Sequence, residues 1–533
     1  MAQEEAVSEE QALDAVHEAK EKLESSRRAF FKRTGVGLAA ISAAGMGASS
    51  QALASGGDHH GRRHGGRRGG PYAHAFILDD DTLYMNIGTT GSTPRDVLEQ
   101  LEENNGLIAR DPLETFATQT LRNMIAAGFG ADPNEIVMSF NTTDGMSKIM
   151  AGLALSAGDE IITTNMEHPG GNSPMAISRD RDGVVLKRVN LPTNDAMSDA
   201  AVLARFEAMR TPKTKAICFS SPPFLTGIRM PEKELCAWAT ANNLISIVDG
   251  AHTVGMVNLD FHTMGVDFFA GAGHKWQCGP GQTGIMYVRN GISPAAYSKT
   301  VTVYTTPTND VTADIVISLP GYANTRPLTR FFPTVSGAYT GAAGSVLANG
   351  TRSPAENVAA TMMSIGNPSY PALKALQECC TMWDAWGRQN IEDYLVSLAQ
   401  YLRSRLVGIW GPRCLAAPYN AAPPHFARVG LTSFNPFSAG YDYNAVLSVA
   451  EAAAQTTTSG NAVTALRDVH RIVVRNTNVP HSLRGNPSQN ANTTAADGPV
   501  TSSHPLRIST HLFHKSRDVD QLIKALLEVV PHP

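Results

Sequence analysis

Two short apolar runs that each end in polar residues constrain the fold of this 533-residue chain more than any other feature. Residues 245–250 read Ile-Ser-Ile-Val-Asp-Gly, and residues 268–273 are apolar or small and lead into the His-Lys pair at 274–275. Short apolar runs with turn residues on either side are typical of buried strands. Similar runs recur at 135–140, 160–164, 215–220 and 285–288. Segments with the hydrophobic spacing of helices lie between these runs. This alternation predicts an α/β fold with an open, mainly parallel sheet and helices on both faces.

Lys275 comes directly after the second of these runs, so we expect it at a strand end in a region that excludes water. Burial disfavours the ammonium form and lowers the pKa of a lysine. The neutral amine is the form that reacts with an aldehyde. The alternative is a lysine with a buried stem and a head group in solvent.

Asp249 ends the first run. A carboxylate at a strand end can hold the proton of a pyridine nitrogen, and it can equally cap a turn. Sites on open α/β sheets lie at the carboxyl ends of strands, where both Asp249 and Lys275 are expected.

The succession Asp249-Gly-Ala-His252, Gly-Val-Asp-Phe, Gly-His274-Lys275-Trp and Gly-Pro-Gly resembles class V aminotransferase-type enzymes. These are fold-type I pyridoxal phosphate enzymes, and they include isopenicillin N epimerase-like proteins and cysteine desulfurases. The resemblance covers roughly residues 78–530. It implies a large domain with a mainly parallel, seven-stranded-type sheet and a smaller α+β carboxyl-terminal domain. It also implies that pyridoxal 5'-phosphate is the cofactor, bonded to Lys275 and held at its ring nitrogen by Asp249.

Further cofactor contacts follow from the resemblance. It implies that Thr142 (through its backbone), Thr143 (through its hydroxyl) and His274 hold the phosphate, and that His168 stacks on the ring. Thr142 and Thr143 also open a helix, whose amino terminus attracts anions, although a plain helix cap would use the same residues. Many relatives carry His or Asn in the loop 221–228, where this chain has Pro and Phe. The contact to the phenolic oxygen of the cofactor is therefore assigned to His252.

Three residues complete the site that the resemblance implies. Arg507, in Leu-Arg-Ile-Ser, resembles the family arginine that binds the substrate α-carboxylate through two parallel hydrogen bonds. Asn86 is implied beside the substrate, and Thr351 at the cofactor phosphate of the other subunit, which implies a homodimer with composite active sites. A surface arginine and two ordinary turns are the alternatives.

The amino-terminal residues predict export. Paired arginines, Arg27 and Arg28, precede a weakly apolar stretch at 35–48 and a small-residue site that ends at Ala54. This order predicts a twin-arginine signal, recognised by the twin-arginine export machinery and cleaved near Ala54, and a periplasmic or secreted bacterial protein. A disordered basic tail is the alternative. The apolar stretch is too short for a stable membrane span.

A Gly/His/Arg-rich linker follows the signal, although its histidines, His59, His60 and His64, could instead bind a metal. The domain prediction has five parts: a signal at 1–54, the linker at 55–75, a segment at 76–104 that packs with the small domain, a large cofactor-binding domain at 105–350 and the small domain at 351–533. Residues 290–349 show no clear pattern and are expected to form loops around the mouth of the site.

These features predict an enzyme that acts at Cα of an amino acid or a derived substrate, of epimerase or aminotransferase type and isopenicillin N epimerase-like. A lyase that breaks a C–S or other β bond is the alternative. Desulfuration needs a nucleophilic cysteine near the carboxyl-terminal strand, and no cysteine follows Cys414. An exported binding protein without turnover is the alternative of another class. The net charge of −4 gives no indication of nucleic-acid binding.

Overall fold

The structure is a computed structural model of the chain. It describes residues 69–111, 118–191, 193, 197–289, 297–304, 312–319, 321–324, 331, 358–363, 365–419, 424–445, 447–482 and 500–533. The predicted export signal, most of the linker and Thr351 lie outside these residues.

A seven-stranded sheet forms the centre of the large part of the molecule. Its strands are β2 (Ile136–Ser139), β3 (Glu160–Thr164), β4 (Val185–Val189), β5 (Thr214–Ser220), β6 (Ile245–Gly250), β7 (Phe268–Ala272) and β8 (Gly284–Val288). Their order across the sheet is β2-β8-β7-β6-β5-β3-β4. Strand β8 runs antiparallel to both of its neighbours, β2 and β7, and the other neighbouring strands are parallel. The predicted α/β fold with a mainly parallel sheet is confirmed.

Helices connect these strands and cover the sheet. They are α1 (Arg95–Arg110), α2 (Thr118–Ala126), α3 (Thr142–Gly152), α4 (Pro169–Asp182), α5 (Asp199–Met209), α6 (Glu232–Ala241) and α7 (Phe261–Met264). Helix α3 shows why they form where they do. The side chain of Asn141 caps its first turn by accepting from the Asp144 N–H, and Met146, Ile149 and Met150 follow at helical spacing and are buried.

The region 290–349 differs in part from the expectation of loops. Strands β9 (Tyr297–Tyr304) and β10 (Thr312–Leu319) form a two-stranded antiparallel ribbon. The alternation of β-branched and polar residues in 312–319 is typical of a strand. The Thr-, Pro- and Gly-rich composition of the whole region hid this local pattern.

The carboxyl-terminal part combines helices with small sheets. Its helices are α8 (Val358–Met363), α9 (Tyr370–Trp386), α10 (Arg388–Trp410), α11 (Val449–Asp468) and α12 (Ser516–Val529). Its strands are β11 (Leu431–Phe434), β12 (Ile472–Val473), β13 (Arg475–Asn476), β14 (Val479–Ser482), β15 (Val500–Ser503) and β16 (Leu506–Ser509). Strands β11, β16 and β13 form one antiparallel sheet, and β14 pairs with β15.

Two hydrophobic clusters support this arrangement. The larger surrounds the seven-stranded sheet, and the smaller packs the helices α10, α11 and α12 against β11 and β16. Strand β1 (Leu83–Tyr84) pairs with β12, which ties an amino-terminal segment to the carboxyl-terminal part. None of the helices in the described part of the chain is both long and apolar enough to cross a membrane.

Candidate active site

A cavity of about 280 Å³ opens at the carboxyl ends of the parallel strands. Its position follows from the fold, because the loops after parallel strands meet at one edge of the sheet. Eight of the residues proposed from the sequence line it: Thr142, Thr143, His168, Asp249, His252, His274, Lys275 and Arg507. Asn86 lies beside them, through a hydrogen bond to Arg507. The structure therefore brings together every described member of the proposed set.

Lys275 follows β7 by three residues and faces the cavity. Burial, together with the nearby charges of Arg507 and Arg475, lowers the pKa of its amine to about 8, although the charge of Asp249 acts in the opposite direction. A substantial fraction of the amine is therefore neutral at slightly alkaline pH, as reaction with an aldehyde requires.

Asp249 lies at the end of β6 and is 2% exposed. Its Oδ1 accepts a hydrogen bond from the Ala251 N–H at 3.1 Å. Burial raises the pKa of this carboxyl, while the Ala251 N–H and the charge of Lys275 act in the opposite direction. A buried carboxylate in the same cavity as a lysine is suited to hold a protonated pyridine nitrogen. A cationic partner favours the ionised form of the carboxylate.

The start of α3 forms an anion cradle. Thr142 and Thr143 occupy its first turn, where backbone N–H groups point out of the helix. The hydroxyl of Thr142 is buried and has no hydrogen-bond partner among the described residues. Such an orphaned polar group inside a cavity fits an anionic ligand better than a plain helix cap. His274 lies on the same cavity, with its Nδ1 3.4 Å from the Thr283 carbonyl oxygen.

His168 is held as a neutral ring. Its Nδ1 accepts a hydrogen bond from the Gly170 N–H at 3.0 Å, which caps α4. Burial lowers its pKa to about 4, and the charges of Lys275, Arg475 and Arg507 add to this effect. Because Nδ1 is an acceptor, the proton of the neutral ring resides on Nε2. The ring is thus fixed in one orientation at the cavity wall, as a stacking residue needs to be.

Phe224 contacts the same histidine. The two rings meet edge to face, with centroids 4.8 Å apart. The loop that departs from the family pattern therefore supplies an aromatic contact in place of a polar one.

His252 is oriented by a tryptophan. The Nε1–H of Trp276 donates to Nδ1 of His252 at 3.2 Å. Burial and the charges of Lys275 and Arg507 lower the pKa of His252 well below its usual range. The neutral ring therefore carries its proton on Nε2, where it can donate to an oxygen in the cavity. This arrangement is compatible with the role of phenolic-oxygen donor that the sequence assigns to it.

Arg507 is a buried cation, 1% exposed. Its Nη1 donates to the Phe224 carbonyl oxygen at 3.1 Å, and its Nη2 donates to Asn86 Oδ1 and Thr89 Oγ1, each at 3.3 Å. Its Nε has no partner among the described residues. A buried guanidinium whose protein partners are all uncharged, with one unused donor, fits a carboxylate ligand.

Several residues at the cavity or beside it were not among the site residues proposed from the sequence. Arg475 on β13 lines the cavity, and Glu167 accepts hydrogen bonds from the Ser220 N–H at 3.1 Å and the Ser220 hydroxyl at 2.6 Å. Thr89 and Trp276 orient Arg507 and His252. The available signals were an arginine directly after the apolar run 472–474 and a glutamate directly before His168.

All six cysteines are buried, and none of them lines the cavity. Burial raises the pKa of every one of these thiols. The described site therefore offers no thiolate nucleophile.

These residues fit pyridoxal 5'-phosphate. A reactive amine, a buried carboxylate, a fixed histidine ring and an anion cradle with an orphaned hydroxyl are the groups that hold its aldehyde, ring nitrogen, ring face and phosphate.

Comparisons with known proteins agree with this set. The family model "Aminotransferase class-V" matches residues 85–305. Isopenicillin N epimerase of Streptomyces clavuligerus is 30% identical over 227 residues, 40% of this chain and 55% of that protein. A probable cysteine desulfurase 2 of Mycobacterium leprae is 30% identical over 223 residues, 39% of this chain and 52% of that protein. The matches thus span about half the length of these curated relatives.

Solved structures share the fold. The cystine C–S lyase C-DES, in complex with cysteine persulfide, aligns with a TM-score of 0.58 and 21% identity over 85% of this chain and 99% of that chain. The cysteine desulfurase CsdA from Escherichia coli aligns with a TM-score of 0.56 and 18% identity over 86% of this chain and 98% of that chain. The fold-type I prediction is confirmed. Residues 85–305 thus resemble the class V aminotransferases, and the cavity residues fit pyridoxal 5'-phosphate as the cofactor.

Proposed function

We propose that this chain is an enzyme that acts at Cα of an amino acid or an amino-acid-derived substrate, of epimerase or aminotransferase type. One observation carries the proposal. The amine of Lys275, the carboxylate of Asp249 and the guanidinium of Arg507 converge on a single cavity. They are the base, the ring partner and the carboxylate anchor that chemistry at Cα requires.

Each residue has a separate task. Arg507 binds the substrate α-carboxylate and so orients the bonds at Cα, because a guanidinium forms two parallel hydrogen bonds with a carboxylate. When bound, pyridoxal 5'-phosphate withdraws electrons from a bond at Cα. Asp249 holds the proton on the ring nitrogen, and Lys275 removes the proton from Cα as a general base with a pKa of about 8.

The destination of the proton decides the reaction. Return to the opposite face of Cα gives epimerisation, delivery to another carbon gives transamination, and loss of a β-substituent gives elimination. The 30% identity to isopenicillin N epimerase supports the first class of reaction. Elimination is the second candidate, since it needs no cysteine and the aligned C-DES structure is a cystine C–S lyase. The buried cysteines argue against desulfuration.

The remaining proposals concern the whole protein. We propose a homodimer in which Thr351 reaches the cofactor phosphate of the other subunit. We also propose twin-arginine export, cleavage near Ala54 and a periplasmic or secreted location. The domain boundaries predicted from the sequence, with the large domain at 105–350 and the small domain at 351–533, stay part of this proposal.

The test is a product assay on the cofactor-loaded protein. Single-enantiomer amino acids, β-substituted ones and peptides with amino-acid-like ends are incubated with it, and the products are followed as inverted enantiomer, keto acid or released β-group. We expect one class of product, and a loss of at least about 100-fold in rate with Lys275→Ala, the usual contribution of a general base. Arg507→Lys should raise KM more than it lowers kcat. A protein that binds amino acids and consumes none of them would be the non-catalytic binding protein.

A further inference from the structure

Two arginines face the cavity from neighbouring strands. Arg475 on β13 and Arg507 on β16 are paired residues of the antiparallel register. Both line the cavity. They differ in exposure, because Arg507 is 1% exposed whereas Arg475 is exposed. The pair therefore presents one guanidinium inside the cavity and one on its solvent side.

A single hydroxyl links the two arginines. The oxygen Thr89 Oγ1 accepts from Arg475 Nη1 at 3.4 Å and from Arg507 Nη2 at 3.3 Å. The Thr89 hydroxyl in turn donates to Asn86 Oδ1 at 2.9 Å. The two guanidinium groups are thus held close together by uncharged protein atoms.

The charges at this position are unbalanced. Within the described part of the chain, neither arginine forms an ion pair with a carboxylate. The buried Arg289, by contrast, is paired with Asp267 at 2.6 Å. The pKa of Arg507 reflects these two close positive charges. Burial is the main cause that lowers this pKa to about 9, and the charge of Arg475 is the second cause. Two cations without a carboxylate form a site for anions.

The two arginines occupy different places in the cavity. Arg507 is buried and retains an unused Nε donor, so it is suited to the α-carboxylate next to Lys275. Arg475 lines the same cavity on its solvent side and contacts the same Thr89 hydroxyl. We propose that the substrate carries a second anionic group on its side chain, a carboxylate or a phosphate, and that Arg475 binds this group. The proposal rests on the proposed function, in which Arg507 binds the α-carboxylate.

The experiment uses acids that lack an amino group and so cannot react. The full chain is titrated by calorimetry with and without pyridoxal 5'-phosphate. Both conditions are informative, because protein atoms alone hold the two arginines in place. The ligands are succinate, glutarate, adipate and 3-phosphonopropionate, each compared with a monocarboxylic acid of similar length. We expect at least one of the doubly anionic ligands to bind about 10-fold more tightly than its monoacid, the value of one charge-assisted contact.

Variants test whether Arg475 causes the preference for doubly anionic ligands. Arg475→Gln should reduce the preference to within about twofold, and Arg475→Lys should restore part of it. Arg467→Gln is the matched control, since Arg467 is exposed on α11 and pairs with Asp468. A preference for 3-phosphonopropionate over the diacids would support the proposal with phosphate as the group.

Equal binding of mono- and doubly anionic ligands by the wild type would overturn the proposal, as would a preference that persists in Arg475→Gln. Failure of the proposed function would be seen in a different measurement. In that case the visible spectrum would show that the protein does not bind pyridoxal 5'-phosphate.

Discussion

Trp276 donates its indole N–H to Nδ1 of His252 over 3.2 Å, and this bond leaves the proton of the neutral histidine on Nε2. Both residues are fully buried, at 0% and 2% exposure. The lysine motif therefore contributes more than its amine to the site. The residue after Lys275 decides which nitrogen of His252 can donate a hydrogen bond into the cavity.

Trp276→Phe should weaken cofactor binding. Without the indole donor, His252 can move its proton to Nδ1 and lose the contact from Nε2. Loss of one buried hydrogen bond predicts about a 10-fold higher dissociation constant for pyridoxal 5'-phosphate. The measurement is an absorbance titration of the cofactor-free protein. Trp383→Phe is the control, because Trp383 is equally buried and donates to the Gly255 carbonyl oxygen at 2.8 Å rather than to His252. Equal losses of affinity in the two variants would contradict the role of Trp276.

Glu167 should make the stability of the protein depend on pH. Burial raises its pKa from 4.5 to about 7, although Ser220 and Thr164 donate hydrogen bonds to it. The folded state therefore holds a proton that the unfolded state releases, and stability falls as the pH rises from 4.5 to about 7. The loss from this residue is about 3 kcal/mol once the pH exceeds both pKa values.

Glu167→Gln removes this titration. The free energy of unfolding of the wild type relative to this variant should therefore fall between about pH 5 and about pH 8. Urea unfolding at both pH values measures it. Glu99→Gln, at an exposed site on α1, should show no comparable change. A difference between wild type and Glu167→Gln that stays constant with pH would show that Glu167 titrates normally.

Gly170→Ala should disturb the anion cradle. A Cβ at this position would meet the hydroxyl of Thr143 and lie 3.2 Å from His168 Nδ1. We expect at least about a 10-fold loss of affinity for inorganic phosphate and for the cofactor, with a loss of stability of about 1–3 kcal/mol from the steric conflict. Both affinities are measured by calorimetry on the cofactor-free protein.

Gly460→Ala is the control for this substitution. Gly460 lies inside α11 with open space around it, so alanine there should raise stability by about 0.5–1 kcal/mol and leave both affinities unchanged. If Gly170→Ala kept the affinity of the wild type, phosphate binding at the start of α3 would be excluded.

The sequence predicted the parts of the site that lie in local motifs. Asp249 and Lys275 follow short apolar runs, and parallel strands place such ends together whatever the details of packing. The sheet was predictable for the same reason, because periodicity and turn residues are local signals.

Partners from distant parts of the chain were not predictable. The register that sets Arg475 beside Arg507 depends on the pairing of β13 with β16, and no local pattern encodes it. The bond from Trp276 to His252 likewise depends on how the loop after β7 packs on the loop after β6. The ribbon of β9 and β10 was missed because a Pro- and Gly-rich composition outweighed its short alternating pattern.

The covalent state of Lys275 tests the central claim most directly. The visible spectrum of the purified protein is recorded before and after borohydride, and the reduced protein is digested to locate the cofactor by mass spectrometry. We predict an absorption band that borohydride bleaches, a cofactor attached to the peptide that contains Lys275, and neither feature in Lys275→Ala. A wild-type protein that stays colourless after incubation with pyridoxal 5'-phosphate, or a cofactor attached to another lysine, would contradict it.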